Sequence, residues 1–257
     1  MNRLQSLLAE RIARGEKSLA VFLTAGFPTK NATADLVASL AAAGADIVEL
    51  GMPFSDPLAD GPVIQECSAT ALANGITLQQ ILDDVRAIRS SVSIPIVLMG
   101  YLNPILRFGV DRFFRAAGAA GVDGIILPEV PLEESGRFAD YFTQTGISPI
   151  LLVSPSTSSE RMREIDARSG GFVYCVSRTG VTGAPVHQET KGYLSRAREH
   201  IVHNPLLVGF GIATPEDAAR IATHADGIIV GSAFLKRLKD DSRRAMQWVG
   251  ELKKAIS

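Results

Sequence analysis

The chain has 257 residues, 46% of them hydrophobic and 21% charged, which supplies one large core and argues against long disordered tracts. Lys plus Arg number 26 against 27 Asp plus Glu, a formal charge of -1, so there is no basic stripe for a phosphodiester backbone and nucleic acid is excluded as a partner. Cys67 and Cys175 form no short-spaced ligand pair and no disulfide framework, the first 17 residues meet Glu10 and Arg11 before an apolar signal core builds, and no run approaches the roughly 18 apolar residues of a membrane span. A cytoplasmic location without membrane insertion is the expectation.

In chain order, the first segment carries Leu4, Leu7, Leu8 and Ile12 at near-helical spacing and predicts a helix ahead of the first strand. Short β-branched apolar runs then alternate with longer segments of helical period. Eight strands are predicted: LAVFLTAG from Leu19, DIVELG from Asp46, IPIVLMGY from Ile94, DGIILP from Asp123, SPILLV from Ser148, GFVYCVS from Gly171, PLLVGFG from Pro205 and DGIIVGS from Asp226. Amphipathic stretches such as TADLVASLAAAG, LQQILDDVRAIRS and VDRFFRAAGAAG connect them. Thr214, followed by Pro215, Glu216 and Asp217, is a well-formed helix start: a capping hydroxyl, proline in the first turn, and acids at the positive dipole end.

Parallel strands joined by helical crossovers leave two architectures, an open doubly wound sheet or a closed barrel. Even spacing and the lack of a glycine-rich dinucleotide turn after the first strand favour an α/β fold of the (β/α)8 TIM barrel class, with the extra N-terminal helix capping its bottom. No linker or low-complexity tract interrupts the pattern, so residues 1–257 are expected to form a single (β/α)8 barrel catalytic domain.

In such barrels chemistry sits at the carboxyl ends of the strands. The second strand ends in ELGMPFSDPLADGPVIQ, which puts Glu49 on the strand and Asp56 and Asp60 on a stiff loop containing Pro53, Pro57 and Pro62. A carboxylate closing an apolar strand is partly desolvated and its pKa rises toward the range useful for proton transfer, making Glu49 the acid/base candidate; alternatively it simply faces solvent. Asp60 either points back over the mouth toward Glu49 or belongs to ordinary turn chemistry with Gly61 and Pro62, and Asp56 before Pro57 reads as a turn-former. Glycine clusters at Gly180–Gly183, Gly209–Gly211 and Gly231–Ser232 follow the last three strands, suiting a backbone phosphate cradle or merely tight turns. His200 and His203 have a superficially metal-like spacing but no third ligand nearby. Phe22, Tyr101, Ile126, Tyr174 and Phe210 fall within or at the end of strands, and serve either as core or as a hydrophobic substrate slot.

The strand-two segment resembles the signature of the tryptophan synthase α subunit family, and FLTAGFP from Phe22, VSRTGVTGA from Val176, GFGIATPEDA from Gly209 and GIIVGSAFLK from Gly227 extend the likeness over essentially the whole chain. The resemblance implies a carbon–carbon lyase of tryptophan biosynthesis that splits indole-3-glycerol phosphate into indole and glyceraldehyde 3-phosphate by a retro-aldol reaction. It implies Glu49 as the principal acid/base catalyst and Asp60 as the partner of the indole N–H. It further implies that Phe22, Met99, Tyr101, Ile126, Tyr174, Phe210 and Ile229 line the indole slot. Gly183, Gly211, Gly231 and Ser232 would hold phosphate, and Thr182 would belong to a closing loop. No metal or organic cofactor is expected in this chain; pyridoxal phosphate is expected on a partner β subunit within an α2β2 heterotetramer. One departure is Glu129, where the family usually carries Asp, which puts in doubt a contact near the partner surface.

Three rivals share parts of this pattern: a phosphosugar isomerase of the same fold, which lacks the paired carboxylates, a non-catalytic indolyl phosphate sensor, and a stand-alone indole-releasing lyase. Apolar Met52 and Phe54 beside polar turn residues point to the strand-two loop as the partner-binding segment, unless Phe54 tucks into its own barrel.

Overall fold

The structure, a computed structural model, describes residues 1–176, 188–209 and 211–257. Helix α1 (Arg3–Ala13) leads through β1 (Ser18–Thr24), α2 (Thr33–Ala42) and β2 (Ile47–Gly51) to a pair of helices, α3 (Pro62–Ala73) and α4 (Leu78–Ile88). Next come β3 (Ile96–Met99), α5 (Leu102–Phe108), α6 (Val110–Ala120) and β4 (Gly124–Ile126). A broken helical layer of α7 (Leu132–Ser135), a 3-10 turn (Gly136–Phe138) and α8 (Ala139–Thr145) precedes β5 (Ser148–Val153). Then follow α9 (Ser159–Arg168), β6 (Val173–Val176), α10 (Gln188–His200), β7 (Leu206–Gly209), α11 (Pro215–Ala222), β8 (Gly227–Val230), α12 (Ser232–Asp240) and α13 (Ser242–Ala255).

Each strand pairs in parallel with the next, and β8 returns to β1, so the sheet is a closed eight-stranded barrel as the even alternation predicts. All eight predicted segments hold a strand; β5 matches its segment from end to end, β1 starts one residue early, and the others are shorter where turns begin. Ile94 and Pro95, for example, stay outside β3, consistent with a proline that has no N–H to give to a ladder. Helix starts follow their sequence signals. The Thr214 side chain accepts from the Asp217 N–H with Pro215 in the first turn, and Asn2 and Gln5 form a reciprocal capping box on α1.

Two apolar layers result from the two-residue alternation of the strands. Residues such as Val21, Val48, Leu98 and Val208 point outward into the helices, whereas Ala20, Ile47, Val97, Ile126, Ile150, Phe172, Leu207 and Ile229 fill the barrel interior. Leu4 and Leu8 of α1 belong to that interior cluster and are almost fully buried, so α1 plugs the amino end of the barrel as expected; Ile12 remains 45% exposed. Small residues receive the plug: a Cβ on Gly171 would lie 2.9 Å from the Leu4 side chain.

A polar belt surrounds this plug. Asp46, Asp123 and Asp226 stand just before β2, β4 and β8, and each accepts an N–H at the start of the preceding strand, from Leu19 at 2.7 Å, Ile96 at 2.9 Å and Leu206 at 2.8 Å. Each is also ion-paired, Asp46 with Arg11 and Lys253, Asp123 with Arg3 and Arg89, and Asp226 with Arg198. Buried carboxylates that are both hydrogen-bonded and paired lock neighbouring strands together at this end.

Candidate active site

Glu49 shares the inward parity of Ile47 and lies in register between Phe22 on β1 and Val97 on β3, so its side chain enters the barrel near the carboxyl end. It is fully buried, and neither carboxylate oxygen has a hydrogen-bond partner among the described residues. Burial therefore pushes its pKa up to about 8, so the group is mostly protonated at neutral pH. Sequence reading anticipated the direction of this shift from an acid closing an apolar strand.

Asp60 reaches the same region from the loop between β2 and α3. That loop is held by its own turn, with the Asp60 N–H bonded to the Pro57 carbonyl and the Gln65 amide donating to the Asp60 carbonyl. The half-buried carboxylate accepts a 3.3 Å hydrogen bond from the Tyr101 hydroxyl, which in turn accepts from the Ala59 N–H at 2.9 Å. Its pKa is raised to about 6, chiefly by burial, with the Tyr101 bond lowering it and the Glu129 charge raising it. Asp60 thus takes part in the turn and also lines the cavity at the barrel mouth. Tyr174 completes the group: it is half-buried at the cavity, and desolvation together with the charges of Glu49 and Asp60 pushes its pKa upward.

Above these groups the mouth opens into a cavity of about 470 Å³. Its lining includes Phe22, Asp60, Met99, Tyr174 and Ile229 together with Gly211, Gly231 and Ser232. Two glycines at inward positions make room for its aromatic walls. A Cβ on Gly51 would fall 2.5 Å from the Phe22 ring, and one on Gly209 would fall 2.6 Å from Tyr174. Gly209, grouped with Gly211 in the sequence as phosphate-type glycine, thus serves ring clearance, while Gly211 takes a φ of +26°. Gly231 precedes α12, whose first turn has no side-chain cap, leaving backbone N–H groups at Ser232 and Ala233 beside the cavity.

The remaining expected residues separate. Ile126 is wholly buried, in register with Met99, and packs in the barrel interior without lining the cavity. Tyr101 borders a small adjoining void with Asp60 and Ser68. Thr182, Gly183 and Phe210 lie outside the described residues. Cavity residues that sequence reading missed are Ile64 on α3, Leu152 at the end of β5, Ser154 and Thr157 in the loop after it, and Ile212. The inward parity of Leu152 with Ile150 was the available signal for that residue.

In the strand-two loop Met52 is buried against Gly100, so it offers no surface to a partner and does not support the expectation of a partner-binding loop that drew on it. Phe54 is half-buried, its ring centroid 5.2 Å from that of Tyr101, and the apolar residue the loop does present is Leu58, 94% exposed. His200 contacts Arg163, and among the described residues no three His, Cys, Asp or Glu side chains converge as a metal-ligand set. Among the same residues no helix is long and apolar enough to cross a membrane.

Comparisons with known proteins converge on one family. The family model described as tryptophan synthase alpha chain matches residues 8–257. The tryptophan synthase alpha chain of Geobacter sulfurreducens is 46% identical, with 100% of this chain and 99% of that protein covered. The crystal structure of the alpha chain from Legionella pneumophila superposes with a TM-score of 0.91 at 39% identity, covering 100% of this chain and 97% of that one. A Mycobacterium tuberculosis tryptophan synthase structure gives 0.93 at 35% identity, covering 99% and 98%. With its closed barrel, its buried acid and its open mouth, the chain belongs to the tryptophan synthase alpha chain family.

Proposed function

We propose that this chain, acting as one catalytic barrel over residues 1–257, cleaves indole-3-glycerol phosphate to indole and glyceraldehyde 3-phosphate with Glu49 and Asp60 in divided roles. The observation that carries the proposal is the separation of the two acids: Glu49 is pushed to about 8 with no hydrogen-bond partner among the described residues, and Asp60 to about 6 at the cavity wall. Near pH 7 one carboxyl group is mostly protonated and the other mostly ionised, the division an acid/base pair needs.

Glu49 delivers its proton to C3 of the indole ring. The ring nitrogen gains positive charge, which the Asp60 carboxylate offsets through the N–H. The Glu49 carboxylate then takes the proton of the hydroxyl on the carbon attached to C3. As that carbon becomes the aldehyde of glyceraldehyde 3-phosphate, the electron pair of the broken carbon–carbon bond restores the aromatic ring. Glu49 ends protonated, so the cycle consumes no proton and calls for no cofactor in this chain. Phe22, Met99, Tyr174 and Ile229 provide the apolar walls for indole, and the backbone around Gly211, Gly231 and Ser232 receives the phosphate.

The partner is a β subunit carrying pyridoxal phosphate, assembled as an α2β2 heterotetramer in the cytoplasm, to which indole passes directly. Supporting this surface is a hollow of about 710 Å³ beside the mouth, lined by Phe54, Asp56, Leu72, Pro104 and Phe108, with Leu58 and Leu106 exposed nearby. The test is indole formation from indole-3-glycerol phosphate by the purified chain, alone and with a β subunit added. Cleavage alone with acceleration in the complex is expected. No indole in either condition would overturn the assignment, and no complex with unchanged cleavage would mean the chain acts alone.

A further inference from the structure

The helix that begins beside the site lacks a cap of its own. Tyr101 is the N-cap residue of α5, in extended conformation, and its side chain makes no capping hydrogen bond. The first helical N–H, that of Leu102, is taken instead by the Glu129 carboxylate at 2.5 Å, reaching across from the loop after β4. Immediately before that N–H stands the ring whose hydroxyl bridges the Ala59 N–H and the Asp60 carboxylate. The ring is buried and packed against Phe54, so where its hydroxyl lies follows from where the backbone at residues 101 and 102 is held. Three successive loops, after β2, β3 and β4, are thereby joined through three hydrogen bonds of the Tyr101 and Glu129 side chains.

We propose that Glu129 is a positioning residue for the Asp60 carboxylate, acting through the start of α5 and the Tyr101 hydroxyl. It rests on the assignment of Asp60 to the indole N–H given above. A capping side chain satisfies an otherwise orphaned backbone donor and fixes the entry angle of the first turn. Displacing a catalytic carboxylate by a fraction of an ångström lowers the transition-state term more than ground-state binding. The longer reach of Glu129 is used here to span from one loop to the next, which gives a function to a residue that stood out in the sequence without one. The charged and titratable groups around Asp60, among the described residues, are Tyr101 from the loop after β3, Glu129 from the loop after β4, and Glu49 and Tyr174 from the strands below. The Glu129 charge also raises the Asp60 pKa, a contribution separable from the cap.

Steady-state indole formation by the full chain separates them, using Glu129→Ala, Glu129→Gln, Tyr101→Phe and the Glu129→Ala/Tyr101→Phe double variant. Glu129→Ala is expected to lower kcat roughly tenfold with little change in KM, because the cap is lost while the pocket remains. The double variant should be no slower than Tyr101→Phe alone, since both changes act through one hydroxyl. Glu129→Gln should recover most of the lost kcat, as its amide oxygen still accepts from the Leu102 N–H, and should move the acid limb of the pH profile to lower pH. Multiplicative losses in the double variant, wild-type kcat in Glu129→Ala, or a Glu129→Gln variant no faster than Glu129→Ala would each overturn the proposal. Glu49→Gln run in parallel distinguishes the levels: unchanged turnover there would sink the underlying assignment, whereas its loss beside a wild-type Glu129→Ala would sink only the role of Glu129.

Discussion

The two ends of the barrel treat buried acids in opposite ways. At the amino end Asp46, Asp123 and Asp226 each accept a backbone N–H and face at least one Arg or Lys. At the carboxyl end Glu49 is as deeply buried as any of them, yet among the described residues neither of its oxygens has a hydrogen-bond partner, and Asp60 has one phenol at 3.3 Å. Burial without compensation is costly, and a fold retains it where the perturbed acid is used. The bottom of the barrel is thus built for stability, and the mouth holds two carboxyl groups poised on opposite sides of neutral pH.

The comparison breaks most directly at Glu49. Glu49→Gln is expected to lower the turnover of indole formation by about two orders of magnitude or more while the chain stays folded; near-normal turnover would remove Glu49 from the chemistry. Asp60→Asn should cost about tenfold to a hundredfold, because a neutral amide cannot offset the charge that develops on the indole ring. A loss of only two- or threefold would return Asp60 to loop structure.

The opposite experiment belongs at the amino end. Asp123→Ala leaves Arg89 without its carboxylate, and Arg89 is only 11% exposed, so unfolding stability is expected to fall by roughly 3–5 kcal/mol in denaturant titration. Indole turnover per folded molecule should hold. If turnover collapsed while stability held, the division between the two ends would be wrong.

A smaller effect is expected at the phosphate side. A Cβ on Gly231 would sit 3.3 Å from the Phe22 Cβ, so Gly231→Val crowds both the backbone N–H groups and the aromatic wall. Glycerol phosphate affinity by calorimetry should fall several-fold, and an unchanged affinity would move the phosphate site elsewhere. Of diagnostic sign is the pH dependence of stability. Because the folded-state pKa of Glu49 is raised from 4.5 to about 8, the native state binds the extra proton between those values, and stability from this group is present below about 4.5 and lost as pH rises through 8. Glu49→Gln carries no such loss. Its Tm should exceed that of the wild type at pH 8 to 9 by more than at pH 5, and a constant difference would contradict the buried, unpartnered carboxyl group.

Periodicity alone determined much of this protein. The two-residue alternation of the eight apolar runs placed Ile47 and Glu49 on one face and Val48 on the other, and the cap at Thr214 and the plug formed by Leu4 and Leu8 were legible from local spacing. Parity sets which way a side chain points, but not its height along the barrel axis. That height follows from strand stagger at closure, so Ile126, although in register with Met99, packs in the barrel interior and not on the cavity wall. Contacts between loops were equally beyond the sequence: the burial of Met52 against Gly100, the Tyr101 hydroxyl on Asp60, and the Glu129 carboxylate on the Leu102 N–H each join segments that only the closed barrel brings together. Side-chain chemistry and spacing are local properties of a chain, whereas the desolvation of Glu49 and the company kept by Asp60 are produced by everything packed around them.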